Sequence, residues 1–395
     1  MAIATDIRRY MEDSSWIRKM FEIGIQLRGE LGDEKVFDLS LGNPIMEPPT
    51  EFLSELRRVV DNTETGKHRY MPNAGYTETR EAIASQLAEE THLPYKSSDV
   101  LMCVGAGGGI NVVLHALLNP GDEVIIFKPF FAEYLFYAYN HQGAPRTVEC
   151  DDQFVPNLRD LEDKITAQTK VVMLNSPNNP SGVVYSIEFL KELTTLLSRK
   201  SADLGTEIFI ISDEPYRKLI FDELLYPFPQ SIYDRTITVT SHSKDLAIPG
   251  ERIGYVAINP SYSGREDLMN ALIFCNRVLG FVNAPALMQH VVRNLQKSSV
   301  QVSEYQRKRD FMFDNLIAFG YDLFKPQGAF YMFPKSPLPQ EMDSVEFLQA
   351  AGVLVVPGRG FGLPGYFRLS FCVEDTVLQG SLKGFSELAK RAGLS

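Results

Sequence analysis

Between residues 77 and 258 the chain alternates short, almost wholly apolar runs with longer stretches of helical periodicity, and this alternation constrains the fold more than any other feature. The apolar runs are Val100–Val104, Glu123–Phe127, Lys170–Leu174, Ile208–Ser212, Thr236–Thr240 and Ile253–Ile258, with Thr147–Glu149 as a further extended piece. A strand with one wet face would carry a polar residue at every second position. These runs do not, so both faces of the sheet they form must be covered. Helical stretches such as Glu78–Glu90, Ile110–Leu118 and Ala132–His141 lie between them. The pattern predicts an α/β fold: a large domain with a mostly parallel central sheet covered by helices.

The pattern changes after Asn283. A helix is expected over Val302–Phe319, then the apolar stretches Tyr321–Phe324 and Ala329–Phe333, the helix Ser344–Ala351, strands at Val353–Val356 and Phe367–Ser370, and a last helix. This reads as a smaller α+β domain. Ahead of the sheet, Ile7–Leu27 is expected as an amphipathic helix with Ile7, Met11, Ile17, Met20 and Phe21 on one face. The expected division is 1–45, an N-terminal helix and segment joining the small domain; 46–283, the large domain; and 284–395, the small domain.

With 395 residues, 44% of them hydrophobic, the chain can build large cores without disulfides or metals. Its net charge of -11 argues against a nucleic-acid partner. Cys103, Cys150, Cys275 and Cys372 form no CxxC pair, which suits reduced thiols in a cytoplasmic protein. No signal peptide and no membrane span is expected. Grouped His and Cys ligands are missing, so no metal is expected.

In sheets of this kind ligands bind beyond the carboxyl ends of the strands. Polar residues follow four predicted strands: Gly105-Ala106-Gly107, Asn175 to Gly182, Asp213 to Tyr216, and Ser241 to Lys244. The glycine cluster Gly105 to Gly109 suits either a tight strand-to-helix turn or a phosphate site at a helix start. It is not a dinucleotide fingerprint, because Ile110 stands where the third glycine belongs. Lys244 at a strand end is either a solvated charge or an amine nucleophile with a lowered pKa. Arg252, eight residues on, suits a phosphate beside it. Asp213 could cap a helix or face a protonated ring nitrogen, with Tyr216 on the same side. Asn179 is held between Pro177 and Pro180. Arg368 sits in the apolar run Phe367-Arg368-Leu369-Ser370-Phe371 and must pair with a carboxylate, from a substrate or from the protein itself.

From about Ser40 to Phe371 these residues resemble, in order and spacing, the class I/II aminotransferases among the fold type I enzymes of pyridoxal 5′-phosphate. Ser-x-Ser-Lys with an arginine eight residues after the lysine is the most specific match. Asn-x-Pro-x-Asn-Pro-Ser-Gly, Asp-x-x-Tyr and Arg-Leu-Ser-Phe support it. The resemblance implies that Lys244 carries the cofactor as a Schiff base and moves the substrate proton. Asp213 would keep the ring nitrogen protonated. Tyr216 and Asn179 would hold the ring's phenolic oxygen. Ala106, Gly107, Ser241 and Arg252 would bind the phosphate, and Phe131 would stack on the ring. Tyr70 would reach the phosphate of a second subunit, making the active unit a homodimer with shared sites. Arg368 would take the substrate α-carboxylate, with Gly42 nearby.

Two departures bear on the substrate. Gly107 stands where some bacterial aspartate enzymes of this group carry a lysine, and Phe131 replaces a tryptophan. The expected substrates are therefore neutral, aromatic or acidic L-amino acids with a 2-oxo acid. A carbon–sulfur β-lyase would use nearly the same residues. A DNA-binding regulator built on this fold is disfavoured by the charge and by the short segment, about 35 residues, ahead of the fold.

Overall fold

The computed structural model describes residues 2–13, 16–63 and 65–394. Its strands are β1 (Phe37–Asp38), β2 (Val100–Cys103), β3 (Glu123–Phe127), β4 (Ala144–Val148), β5 (Thr169–Asn175), β6 (Phe209–Asp213), β7 (Thr236–Ser241), β8 (Gly254–Ile258), β9 (Tyr331–Met332), β10 (Val353–Leu354), β11 (Val356–Pro357) and β12 (Phe367–Ser370). Seven of them form the central sheet in the order β2-β8-β7-β6-β5-β3-β4. All its pairings are parallel except those of β8, which runs antiparallel to β2 and β7.

The uniformly apolar runs now have a physical reason. Successive side chains of a strand point to opposite faces. Val171 and Met173 of β5 enter one core, and Val172 and Leu174 enter another. Val124 and Ile126 of β3 likewise part from Ile125 and Phe127. On the first face the helices Gly105–Leu117 and Arg265–Val278 cover the sheet. Elsewhere the helices Thr77–Thr91 and Ala286–Val292 cover β2 and β8.

The C-terminal part holds two small sheets. In one, β9 and β11 flank β12, both antiparallel to it. In the other, β1 runs parallel to β10, joining residues 37–38 to the C-terminal part.

Several sequence expectations are corrected. The N-terminal region is helical over Thr5–Asp13 and Trp16–Leu31, on either side of residues 14–15, which lie outside the described ones. Met20 is buried, but Ile7 and Met11 are about half exposed, at 48% and 59%. The side chains of Ile17 and Phe21 lie outside the described ones. The glycine cluster is not a turn ahead of a helix; it is the helix's first turn, which begins at Gly105. Of the apolar stretches Tyr321–Phe324 and Ala329–Phe333, for which no backbone structure was expected, only Tyr331–Met332 pairs as a strand. Those aromatics are apolar because their rings enter the core, as Tyr321, Phe330 and Phe333 do; apolarity reports burial, not backbone pairing. No helix among the described residues is long and apolar enough to cross a membrane.

Candidate active site

The carboxyl ends of β2, β5, β6 and β7 deliver their polar residues to one cavity of about 310 Å³. Of the residues singled out from sequence, Gly42, Ala106, Gly107, Phe131, Asn179, Asp213, Tyr216, Ser241, Lys244, Arg252 and Arg368 line it. Tyr70 does not; it is 90% exposed on the surface of this chain.

Lys244 is largely withdrawn from water, which lowers its pKa to about 8; Cys372 opposes that shift, and the charges of Arg368 and Arg252 add to it. Its amine donates to the Gly42 carbonyl at 2.8 Å. Gly42 cannot carry a side chain here, because a Cβ would stand 1.8 Å from the Tyr331 hydroxyl. The segment can therefore approach the lysine only as backbone.

Asp213 ends β6, and its neighbour across the parallel pair is Asn175 of β5. No helix follows it, so the capping alternative falls away. Asn175 Nδ2 donates to the Asp213 carbonyl at 3.0 Å, and its Oδ1 accepts from Asn179 N–H at 2.8 Å. The Asp213 carboxylate accepts a hydrogen bond from Tyr134, but its other oxygen, Oδ1, is buried without a partner. Burial raises its pKa to about 7; the Tyr134 bond opposes that rise and Glu214 adds to it.

Arg252 adopts a left-handed backbone, φ 51°, and its guanidinium stands over the start of the helix Gly105–Leu117. A Cβ on Gly105, itself at φ +68°, would meet Arg252 Nη2 at 2.6 Å. Only glycine allows the arginine and the helix N-terminus to come this close. The free N–H groups of that terminus, the guanidinium and the hydroxyls of Ser241 and Ser243, 3.1 Å apart, form a cradle for an anion.

Arg368 lies in β12, fully buried. Its Nη1 donates to Asn179 Oδ1 at 3.0 Å and Nη2 to the Ser40 carbonyl at 2.6 Å. The Tyr331 and Phe361 rings lie 4.5 and 4.7 Å from its guanidinium carbon. Nε is buried without a partner, and no ion pair joins Arg368 to a carboxylate among the described residues. Burial lowers its pKa, against the pull of nearby hydroxyls and Glu133.

Sequence reasoning missed Tyr134, Tyr137 and Tyr331, which also line the cavity. Tyr331 meets Tyr216 hydroxyl to hydroxyl at 3.1 Å. The available signals were a phenol three residues after Phe131 on a helix, and a hydroxyl inside the apolar stretch Ala329–Phe333.

The fold is that of an aminotransferase. An amino transferase from Eubacterium rectale has a similar crystal structure, with TM-score 0.96 and 35% identity over 99% of both chains. Aspartate aminotransferase from Thermus thermophilus with maleate superposes with TM-score 0.86 at 28% identity, covering 98% of this chain and all of that one. In sequence, a probable aspartate/prephenate aminotransferase from Aquifex aeolicus is 34% identical over 87% of this chain and 89% of its own length. A probable N-acetyl-LL-diaminopimelate aminotransferase from Bacillus subtilis is 31% identical over 88% of each. Residues 34–382 match the family described as aminotransferase class I and II. The chain belongs to that family and is an enzyme, a transaminase.

Proposed function

We propose that the chain transfers an amino group between an L-amino acid and a 2-oxo acid, with pyridoxal 5′-phosphate as cofactor. One observation carries the proposal: Lys244, the unpartnered Oδ1 of Asp213 and the unpartnered Nε of Arg368 all belong to residues lining one cavity. The donor set fits the cofactor. A protonated ring nitrogen would give Asp213 the cationic donor it lacks and hold its carboxylate ionised. The cradle of Arg252, Ser241 and the N–H groups of Ala106 and Gly107 suits the phosphate. Tyr216 and Asn179 would hold the phenolic oxygen, Phe131 would cover the ring, and Lys244 would anchor the aldehyde.

When bound, the cofactor supplies an electron sink for the pair left on the substrate Cα once its proton is taken. Lys244, at about 8, is partly neutral near neutral pH and can take that proton and return it. Asp213 keeps the ring nitrogen charged. Arg368 grips the α-carboxylate, using the donor it has left over, and so orients Cα.

Phe131, Tyr134 and Tyr137 give the cavity an aromatic lining. A Cβ on Gly107 would stand 3.0 Å from the Tyr137 hydroxyl, so Tyr137 fills the space beside the glycine. This supports neutral and aromatic donors, while the names of the relatives support aspartate and prephenate. Tyr70, exposed and outside this cavity, is free to complete the site of a second copy in a homodimer. The pairing of β1 with β10 supports grouping residues 1–45 with a small domain 284–395, apart from 46–283. The four free cysteines support a cytoplasmic location.

The test is a panel of L-amino acids with 2-oxoglutarate and cofactor-loaded enzyme. The expected product is glutamate, with neutral and aromatic donors fastest. Pyruvate and ammonia without glutamate would make the enzyme a lyase instead.

A further inference from the structure

The loop that carries Lys244 presents two faces. Ser241, Ser243 and Lys244 line the large cavity. His242 and Asp245 line a smaller one, with room for about one water molecule, which also touches Ser241 and Pro215. Asp245 is buried, and its Oδ2 lies 3.2 Å from His242 Nδ1 and 3.2 Å from Lys218 Nζ. Lys218 also donates to the carbonyls of Gln296 at 2.6 Å and Ser298 at 3.2 Å. The Val300 N–H donates to the Asp245 carbonyl at 2.7 Å. Three segments meet around Asp245: the Lys244 loop, the turn that carries Tyr216, and the connector 296–300 ahead of the helix Val302–Ala318, which reaches it through its backbone carbonyl and through Lys218. Burial alone would raise the Asp245 pKa, but His242 and Lys218 outweigh it and hold it at about 2, so this carboxylate stays charged at neutral pH.

We infer that Asp245 is a positioning residue for Lys244: its grip on Lys218 and His242 sets where the lysine stands relative to Tyr216 and Asp213. The inference rests on the reading of Lys244 as the residue that anchors the cofactor. A lysine has a long flexible stem, so its amine is aimed only as well as its backbone is held. Asp245 is not among the groups that shift the Lys244 pKa, which are burial, Cys372, Arg368 and Arg252. It therefore acts by geometry and not by its charge on the amine.

The test uses the holoenzyme of Asp245→Asn and of Lys218→Met. In Asp245→Asn, kcat should fall about ten- to a hundredfold, the scale of a misplaced catalytic group. KM for the amino acid should stay within about twofold, because Arg368 is held by Asn179 and Ser40, outside the clamp. The visible circular dichroism of the bound cofactor should change. The cofactor-free variant should capture added pyridoxal 5′-phosphate about tenfold more slowly than wild type. Lys218→Met should show a smaller effect of the same kind, and the double variant should be no worse than Asp245→Asn. Unchanged kcat and dichroism would overturn the inference. So would a joint change of kcat and KM that merely follows a fall in Tm. If Asp245→Asn does not fold, Lys218→Met decides by the same readouts. A Lys244→Ala enzyme with wild-type turnover would instead sink the assignment of Lys244, independently of Asp245.

Discussion

Two arginines are among the largest fully buried side chains of this protein, and they live in opposite circumstances. Arg309, on the helix Val302–Ala318, is satisfied by the protein. Both its terminal nitrogens bind Asp222, at 2.6 and 2.8 Å, Nη1 also donates to the Pro326 carbonyl, and the Phe221 ring lies 4.8 Å away. Arg368, on β12, has an amide, a carbonyl and two aromatic rings, but no carboxylate among the described residues. A buried charge is stable only when paired. Arg309 is therefore part of the fold, whereas in the function proposed above Arg368 takes its counter-charge from the substrate. The same contrast separates Asp222, held low by Arg309, from Asp213, raised to about 7 by burial.

If the contrast is right, cavity groups should cost activity when changed, and core groups should cost stability. Lys244→Ala should have the largest effect. Turnover should fall by several orders of magnitude, more than about 4 kcal/mol, while the far-ultraviolet circular dichroism stays native. Borohydride should no longer fix the cofactor to the protein, as peptide mass analysis would register. Fixation at another lysine would move the site.

Arg368→Lys is the sharper test, because lysine keeps the charge and loses the planar fork. Its kcat/KM for every amino acid and 2-oxo acid should drop by a similar factor, equivalent to roughly 2–5 kcal/mol. Tm should hold, and amines without a carboxylate should be spared. A variant that unfolds would place Arg368 in the same class as Arg309. The mirror experiment is Arg309→Met. It should lower stability by roughly 2–4 kcal/mol in a urea titration, with kcat at the wild-type value. Loss of kcat without loss of stability would break the comparison from its other side.

The smallest effect concerns Asp213 in the cofactor-free protein. Its folded pKa, about 7, lies above the ordinary carboxylate value of 3.8. Folding therefore favours the protonated carboxyl, and stability is lost as pH rises from about 4 to about 7. Asp213→Asn should match wild type near pH 4 and exceed it by roughly 1–3 kcal/mol at pH 9. Holoenzyme should reverse the order, because the ring nitrogen then pairs with the carboxylate. An unchanged difference between pH 4 and pH 9 would show that Asp213 is already satisfied.

Much of this was legible along the chain. Runs apolar at every position require cover on both faces, and β3, β5, β6 and β7 lie within a residue or two of where that rule puts them. The residues after those strands were found because a carboxyl-edge position depends only on strand order. The misses have a common cause. Ile7 and Met11 follow a helical stripe yet stand half exposed. Hydropathy records how much a side chain gains by leaving water, not which surface receives it.

Sequence by itself determined which residues would meet at one edge of a parallel sheet, because local periodicity sets strands and strand ends set the site. It could not decide how Asp213, Arg368 or Asp245 would be paired. A lone aspartate or arginine has the same local signature whether it meets a counter-charge, an amide or nothing. Only the tertiary structure brought Tyr134 to Asp213, Asn179 to Arg368 across 189 positions, and Lys218 to Asp245. Electrostatic pairing depends on distance in space and on burial, and neither is encoded at short range along the chain.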